Sequence, residues 1–145
     1  MKKILIFLAA ALMVLASVSC KKENLLNHLE GTKWVDAYGD IIEVVSFEDH
    51  NSFTFYTIDE SSGEITESLN CKIVEYQSDR LLFKFDPPFE DSKYHIIGGV
   101  VMLEGDKLLL ILTNDTWTVY ESGGMRAYYS RNDKFDLSKY KYSVE

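Results

Sequence analysis

The chain has 145 residues, 46% of them hydrophobic, and a formal net charge of −8 at pH 7. That length suits one domain, large enough to bury a core without help from a disulfide or a metal. The negative balance excludes nucleic acid as a partner and argues against a protein lying flat on anionic lipid, because both demand basic surface.

Met1 to Ser19 has the three parts of a secretory signal: Lys2 and Lys3, an apolar stretch from Ile4 to Ala16, and the small-residue approach Ser17-Val18-Ser19. Those 13 apolar residues would span about 20 Å as a helix, short of the roughly 30 Å hydrocarbon layer. Ser17-Val18-Ser19-Cys20 resembles a bacterial lipobox, in which a cysteine after small residues is diacylated once the leader is cut; Ser17 stands where that motif usually has Leu. The resemblance implies that residues 1–19 are a cleaved lipoprotein signal peptide and that Cys20 is the lipid-attachment residue. Its partner is then a membrane, held through acyl chains with no transmembrane helix. Lys21 replaces the Asp that retains such proteins at the inner membrane of diderm bacteria. The expected address is therefore the bacterial cell envelope at the outer membrane, on its periplasmic or surface face. The other reading is an ordinary signal followed by an unmodified cysteine.

Cleavage before Cys20 leaves 126 residues (145 less 19), and losing Lys2 and Lys3 takes the formal charge from −8 to −10. Cys71 becomes the one free thiol. It falls on the apolar side of Leu69-Asn70-Cys71-Lys72-Ile73, with no base close in sequence, and reads as a buried structural thiol.

Residues 20–30 read as a lipid-anchored linker carrying one short helix, stopped by Gly31. From there to residue 131 short β-branched and aromatic runs alternate with Asp, Gly, Ser, Asn and Pro. Nine strands are expected, near 32–36, 40–47, 52–58, 65–76, 80–85, 94–103, 107–112, 116–121 and 126–131. The fold class is all-β: an up-and-down barrel of eight to nine antiparallel strands over residues 31–131, with a two-sheet β-sandwich as the alternative. Phase changes at Ile42–Val45 and Ile73–Val74 suggest β-bulges. Gly98-Gly99 inside an apolar run suggests a sharp bend or close approach. Residues 132–145 lack strict alternation and are expected to form a loosely attached C-terminal tail.

Gly31-Thr32-Lys33-Trp34, after a short helix and opening the first strand, resembles the start of small bacterial lipocalin-like lipoproteins, with Lys33 as one extra residue against Gly-x-Trp. The resemblance implies that Trp34 plugs the closed end of the barrel and that an arginine near the last strand packs on it. Arg131 is that arginine for eight strands and Arg126 for nine. It also implies an apolar ligand in the barrel mouth. Trp34, Phe47, Phe53, Phe55, Phe83, Phe85 and Trp117 are candidates to point inward. So many large side chains favour a filled core with a shallow mouth over a deep cavity.

No catalytic, phosphate-loop or metal-ligand motif is present, and His28, His50 and His95 are scattered. Asp59-Glu60-Ser61-Ser62-Gly63-Glu64 reads as a solvated hairpin turn rather than a calcium loop. No enzyme activity, cofactor or metal is expected. Two binding readings remain, a small apolar ligand in the mouth or a basic protein partner on acidic distal loops. Gly31 lies eleven residues from Cys20, a reach of about 40 Å at most, so the end holding Gly31 is expected to face the membrane. The opposite end then carries a candidate binding rim of Tyr38, Asp59, Glu60, Phe89, Glu90 and Asp91.

Overall fold

In the computed structural model the residues described are 25–88, 96–113 and 126–143. A single 3-10 turn, Leu25–His28, precedes nine strands: β1 Lys33–Tyr38, β2 Ile41–Phe47, β3 Ser52–Asp59, β4 Glu64–Tyr76, β5 Arg80–Phe85, β6 Gly98–Glu104, β7 Lys107–Thr113, β8 Arg126–Arg131 and β9 Lys141–Tyr142. Strands β1 to β7 each pair antiparallel with the next in the chain, and β1 pairs antiparallel with β8, closing the ring. The fold is a closed, eight-stranded up-and-down barrel. Closure leaves no pair of separate sheets, so the sandwich alternative is excluded. β7 pairs directly with β8, making the ring eight-stranded; the ninth expected strand, 116–121 with Trp117, lies outside the described residues. So do the first residues of the strand expected at 94–103, which is observed as β6.

The interior is filled by aromatic rings in tilted and edge-on contact. Phe47 and Phe53 have centroids 5.0 Å apart, Phe53 and Phe83 4.9 Å, and Phe83 and Phe85 5.7 Å, the spacing at which ring quadrupoles attract. Gly99 makes room for this packing. A Cβ there would lie 2.9 Å from two carbons of the Phe83 ring and would collide with the Ile111 carbonyl oxygen. Gly98 is pressed equally hard against the Phe83 carbonyl. The glycine pair therefore marks close approach, and the ring of Phe83 occupies the space that a side chain at residue 99 would take.

The closed end is built from the segment read as a linker. Leu26 and Leu29 are 3% and 4% exposed and belong to the same cluster as Trp34, Phe47 and Leu108. Gly31, at φ 76°, turns the chain from this plug into β1; its N–H donates to Phe47 O, and Thr32 O accepts from Phe47 N. Trp34 Nε1–H donates to Thr32 Oγ1 at 2.9 Å, and that hydroxyl donates to Leu29 O at 2.6 Å. The indole N–H is thus satisfied through a path that stays within five residues of it.

Two expectations about strand geometry are corrected. β2 keeps unbroken register with both neighbours, so the phase change at Ile42–Val45 is not a bulge. It arises because both faces of β2 are covered: Val45 and Phe47 point inward, while Ile42 and Val44 point outward into a second cluster with Ile58 and Ile65. The register shifts lie instead in β4, between Ile73 and Glu75 as expected, and opposite Thr57/Ile58. Val74, the residue left over at the first, is 48% exposed.

The cover on β2 is the C-terminal segment, which is docked rather than loose. Phe135, Leu137 and Tyr140 pack on the outward cluster, with the Phe135 and Tyr140 rings stacked at 5.8 Å. Asp133 Oδ1 accepts from Lys33 N at 3.1 Å, Lys33 Nζ donates to Phe135 O at 2.9 Å, and β9 runs parallel to Glu64–Ile65. Residues 132–143 form a strap across the outside of the barrel. No helix among the described residues is long and apolar enough to cross a membrane.

Candidate functional site at the barrel mouth

Strand direction sorts the residues between two ends. The closed end holds the Leu26/Leu29 plug and the turns near 48–51, 77–79 and 104–106. The other end, the mouth, holds the β1–β2 turn at Gly39, the β3–β4 turn at Asp59–Glu64, the end of β5 and start of β6, and the end of β7 and start of β8. Trp34 is paired with Arg131, and Arg126 with Ile111. Arg131 therefore lies at the Trp34 end, and Arg126 sits at the mouth. The Arg131 guanidinium binds Asp133 at 2.8 Å with more than half the side chain exposed, while Leu26 and Leu29 share the buried cluster with Trp34.

Phe55, Leu69, Leu112 and Ala127 pack on the core but are only half-buried; Leu112 and Ala127 lie at the mouth ends of β7 and β8, and Phe55 and Leu69 face each other midway along β3 and β4. Phe55 meets Tyr129 edge on, with centroids 6.5 Å apart. Glu43 stands on the same inward face, two residues from Val45. Its Oε1 accepts from Tyr38 Oη at 2.8 Å and its Oε2 from Tyr129 Oη at 3.0 Å. Asp36 is its direct cross-strand partner. Placing two carboxylates opposite one another is unfavourable, and the two phenol donors partly offset that cost at Glu43.

The same charges act on the phenols. Burial first, then the Glu43 charge and hydrogen bond, push Tyr129 far above the ordinary phenol range. The Glu43 hydrogen bond, followed by burial and the Glu43 and Asp36 charges, pushes Tyr38 up to about 12. Both stay protonated and serve as neutral donors that fix the carboxylate's orientation. The arrangement presents an oriented acceptor beside half-buried apolar side chains, which can bind and orient a small molecule.

Of the rim residues, Tyr38, Asp59 and Glu60 are at the mouth. Asp59 is partly occupied by its own turn: Oδ1 accepts from Ser61 N at 2.9 Å and from Ser61 Oγ at 2.6 Å. Those serine hydrogen bonds hold its carboxyl below the usual range. Phe89, Glu90 and Asp91 lie outside the described residues, as do Cys20 and His95. His50 is stacked on Tyr76 at 4.6 Å at the closed end, away from the mouth. Cys71 faces the core, 2% exposed, and burial pushes its thiol up to about 12. Among the described residues no group of three His, Cys, Asp or Glu could hold a metal ion.

Glu43 and Tyr129 were not singled out by the sequence. The available signal was a lone carboxylate inside the apolar run Ile41-Ile42-Glu43-Val44-Val45, since a charge placed in a buried strand needs a partner. Comparison with family models, with curated proteins and with solved structures finds no match to this chain.

Proposed function

We propose that this protein is a bacterial lipoprotein, attached to the cell envelope at the outer membrane through Cys20. Its barrel serves as a non-enzymatic, lipocalin-like binding module that takes a small apolar ligand at a shallow mouth. The observation that carries the reading is the set of half-buried apolar side chains, Phe55, Leu69, Leu112 and Ala127, packed beside the aromatic core on the mouth side of the plug. Half-exposed apolar side chains on the concave side of a closed sheet are the usual lining of small-ligand sites. The test is saturable binding of a neutral environment-sensitive dye, Nile red, to the mature protein. Leu69→Asp and Leu112→Asp should each weaken binding at least tenfold while the protein still melts cooperatively. Unchanged binding in both variants would remove the mouth as the site.

A second reading, a protein-interaction module on the acidic mouth turns, is favoured by the carboxylates gathered there, Asp36, Glu43 and Glu60 with no basic side chain paired to them among the described residues. Charge of one sign at a rim steers a basic partner. Capture from the native envelope should then be lost when Asp59, Glu60, Glu90 and Asp91 are neutralised together. Equal recovery of a partner by both proteins would exclude the rim.

A further inference from the structure

We propose that Glu43 selects the ligand of the mouth, and that this ligand is a small amphiphilic amine, an apolar ring or short chain carrying one protonated amino group. The inference rests on the mouth as the binding site and adds the chemistry of its occupant.

Cross-strand register lays the inward side chains of β1 to β4 out in rows. Trp34 faces Val45, Val45 faces Phe55 and Phe55 faces Leu69. That row is wholly apolar, and its last two members are only half-buried. The next row toward the mouth reads Asp36, Glu43, Thr57 and Glu67. Side chains two apart on a strand share a face and stand about 7 Å from one another. The concave wall therefore passes from apolar to acidic in a single step. Across the bore, Leu112 and Ala127 hold the inward positions at the mouth ends of β7 and β8. Among the described residues no Lys, Arg or His occupies an inward position in the mouth half of the barrel.

Such a row is costly when unpaired. Like charges directly opposite one another destabilise a sheet, and Asp36 and Glu43 are directly opposite. Tyr38 and Tyr129 donate their hydroxyls to Glu43 at 2.8 and 3.0 Å, which orients the carboxylate and uses one site on each oxygen. An ionised carboxylate offers about four acceptor sites, so each oxygen of Glu43 has room for a further donor. Tyr129 also joins the two rows, because its ring meets Phe55 edge on with centroids 6.5 Å apart. An ammonium group brings three N–H donors and a full charge. Set between Asp36 and Glu43 it offsets their repulsion, while its apolar body lies on Phe55 and Leu69. A neutral alcohol makes a hydrogen bond there without relieving the charge, and a carboxylate adds to it. A bare metal ion is a poorer fit, since among the described residues no group of three His, Cys, Asp or Glu could hold one.

The test measures, by equilibrium dialysis of the mature protein, three probes of similar shape: 2-(1-naphthyl)ethylamine, 2-(1-naphthyl)ethanol and 1-naphthylacetate. Salt at about 0.15 M screens distant charge. The amine should bind at least tenfold more tightly than the alcohol, and the acid more weakly than either. Glu43→Gln and Asp36→Asn should each cut the amine's advantage at least threefold while the alcohol binds as before. Glu75→Gln, at an exposed carboxylate near the closed end, should leave the ratio unchanged and so exclude net charge as its cause. Equal affinity for amine and alcohol, with the alcohol still lost in Leu69→Asp, would overturn the amine while the apolar mouth stands. So would an amine preference that survives both Glu43→Gln and Asp36→Asn. Absence of binding by any probe, or alcohol binding unchanged in Leu69→Asp and Leu112→Asp, would remove the mouth as the site, and the inference with it.

Discussion

Trp34 concentrates several constraints in one side chain. Its ring closes the core against Leu26 and Leu29, and its N–H enters a two-step hydrogen-bond path through Thr32 to Leu29 O. Trp34→Ala should therefore cost about 3–5 kcal/mol in urea unfolding, the range for a buried large aromatic; a loss below ~0.5 kcal/mol would show that the plug holds without it. Gly99 is the converse case, where an added methyl has nowhere to go. Gly99→Ala drives a Cβ into the Phe83 ring and the Ile111 carbonyl and should destabilise by about 1–3 kcal/mol, as overpacking does. An unchanged unfolding midpoint would mean that β6 and β7 can separate freely there. At this scale the sequence was informative where a residue type is chemically restrictive. Cys71 and the Gly98-Gly99 pair were each given a role that the coordinates bear out, in burial and in close approach. Glu43 was missed because its meaning depends on two tyrosines, one of them 86 residues away in sequence.

The strap shows what happens when an element's partner lies outside its own periodicity. Phe135, Leu137 and Tyr140 do not alternate as a strand does, because they cover the convex outside of a barrel rather than lining a sheet face. The same contact explains why β2 broke phase: a strand covered on both sides loses the polar half of its pattern. Acid should loosen this element first. Arg131 and the Lys33 N–H hold the Asp133 carboxyl below its ordinary value, and Ser138 does the same for Asp136. Groups with depressed folded-state values contribute stability that is fully present above the ordinary carboxylate range, near ~3.9, and is lost as pH falls through the depressed values. Exchange protection at the Lys33 and Tyr140 amides, taken against the intrinsic rate at each pH, should therefore hold down to about pH 4 and fall below it. Ring-current shifts from the Phe135–Tyr140 stack should fade over the same window. Protection that is lost instead on the alkaline side would contradict the role given to the two aspartates.

For the whole molecule, all-β class and barrel closure were legible because hairpin-length connections between alternating strands leave few other ways to bury every edge. The strand count was less legible. Alternation at Trp117 and Val119 has the signature of a strand, yet β7 finds its partner in β8, a choice made by pairing across space rather than by local pattern. The filled interior was legible in the aromatics, since Phe47, Phe53, Phe83 and Phe85 are all buried in one cluster. The Glu43 carboxylate between two tyrosines was not.

Everything said about where this barrel works depends on Cys20. The most direct measurement is the intact mass of the mature protein from a bacterial envelope, compared with the Cys20→Ala variant under acyl labelling. The account predicts a chain beginning at residue 20, heavier than its polypeptide by two or three acyl groups, and a variant that is unlabelled and released from the membrane. A wild-type chain of unmodified mass, recovered free alongside the variant, would contradict it.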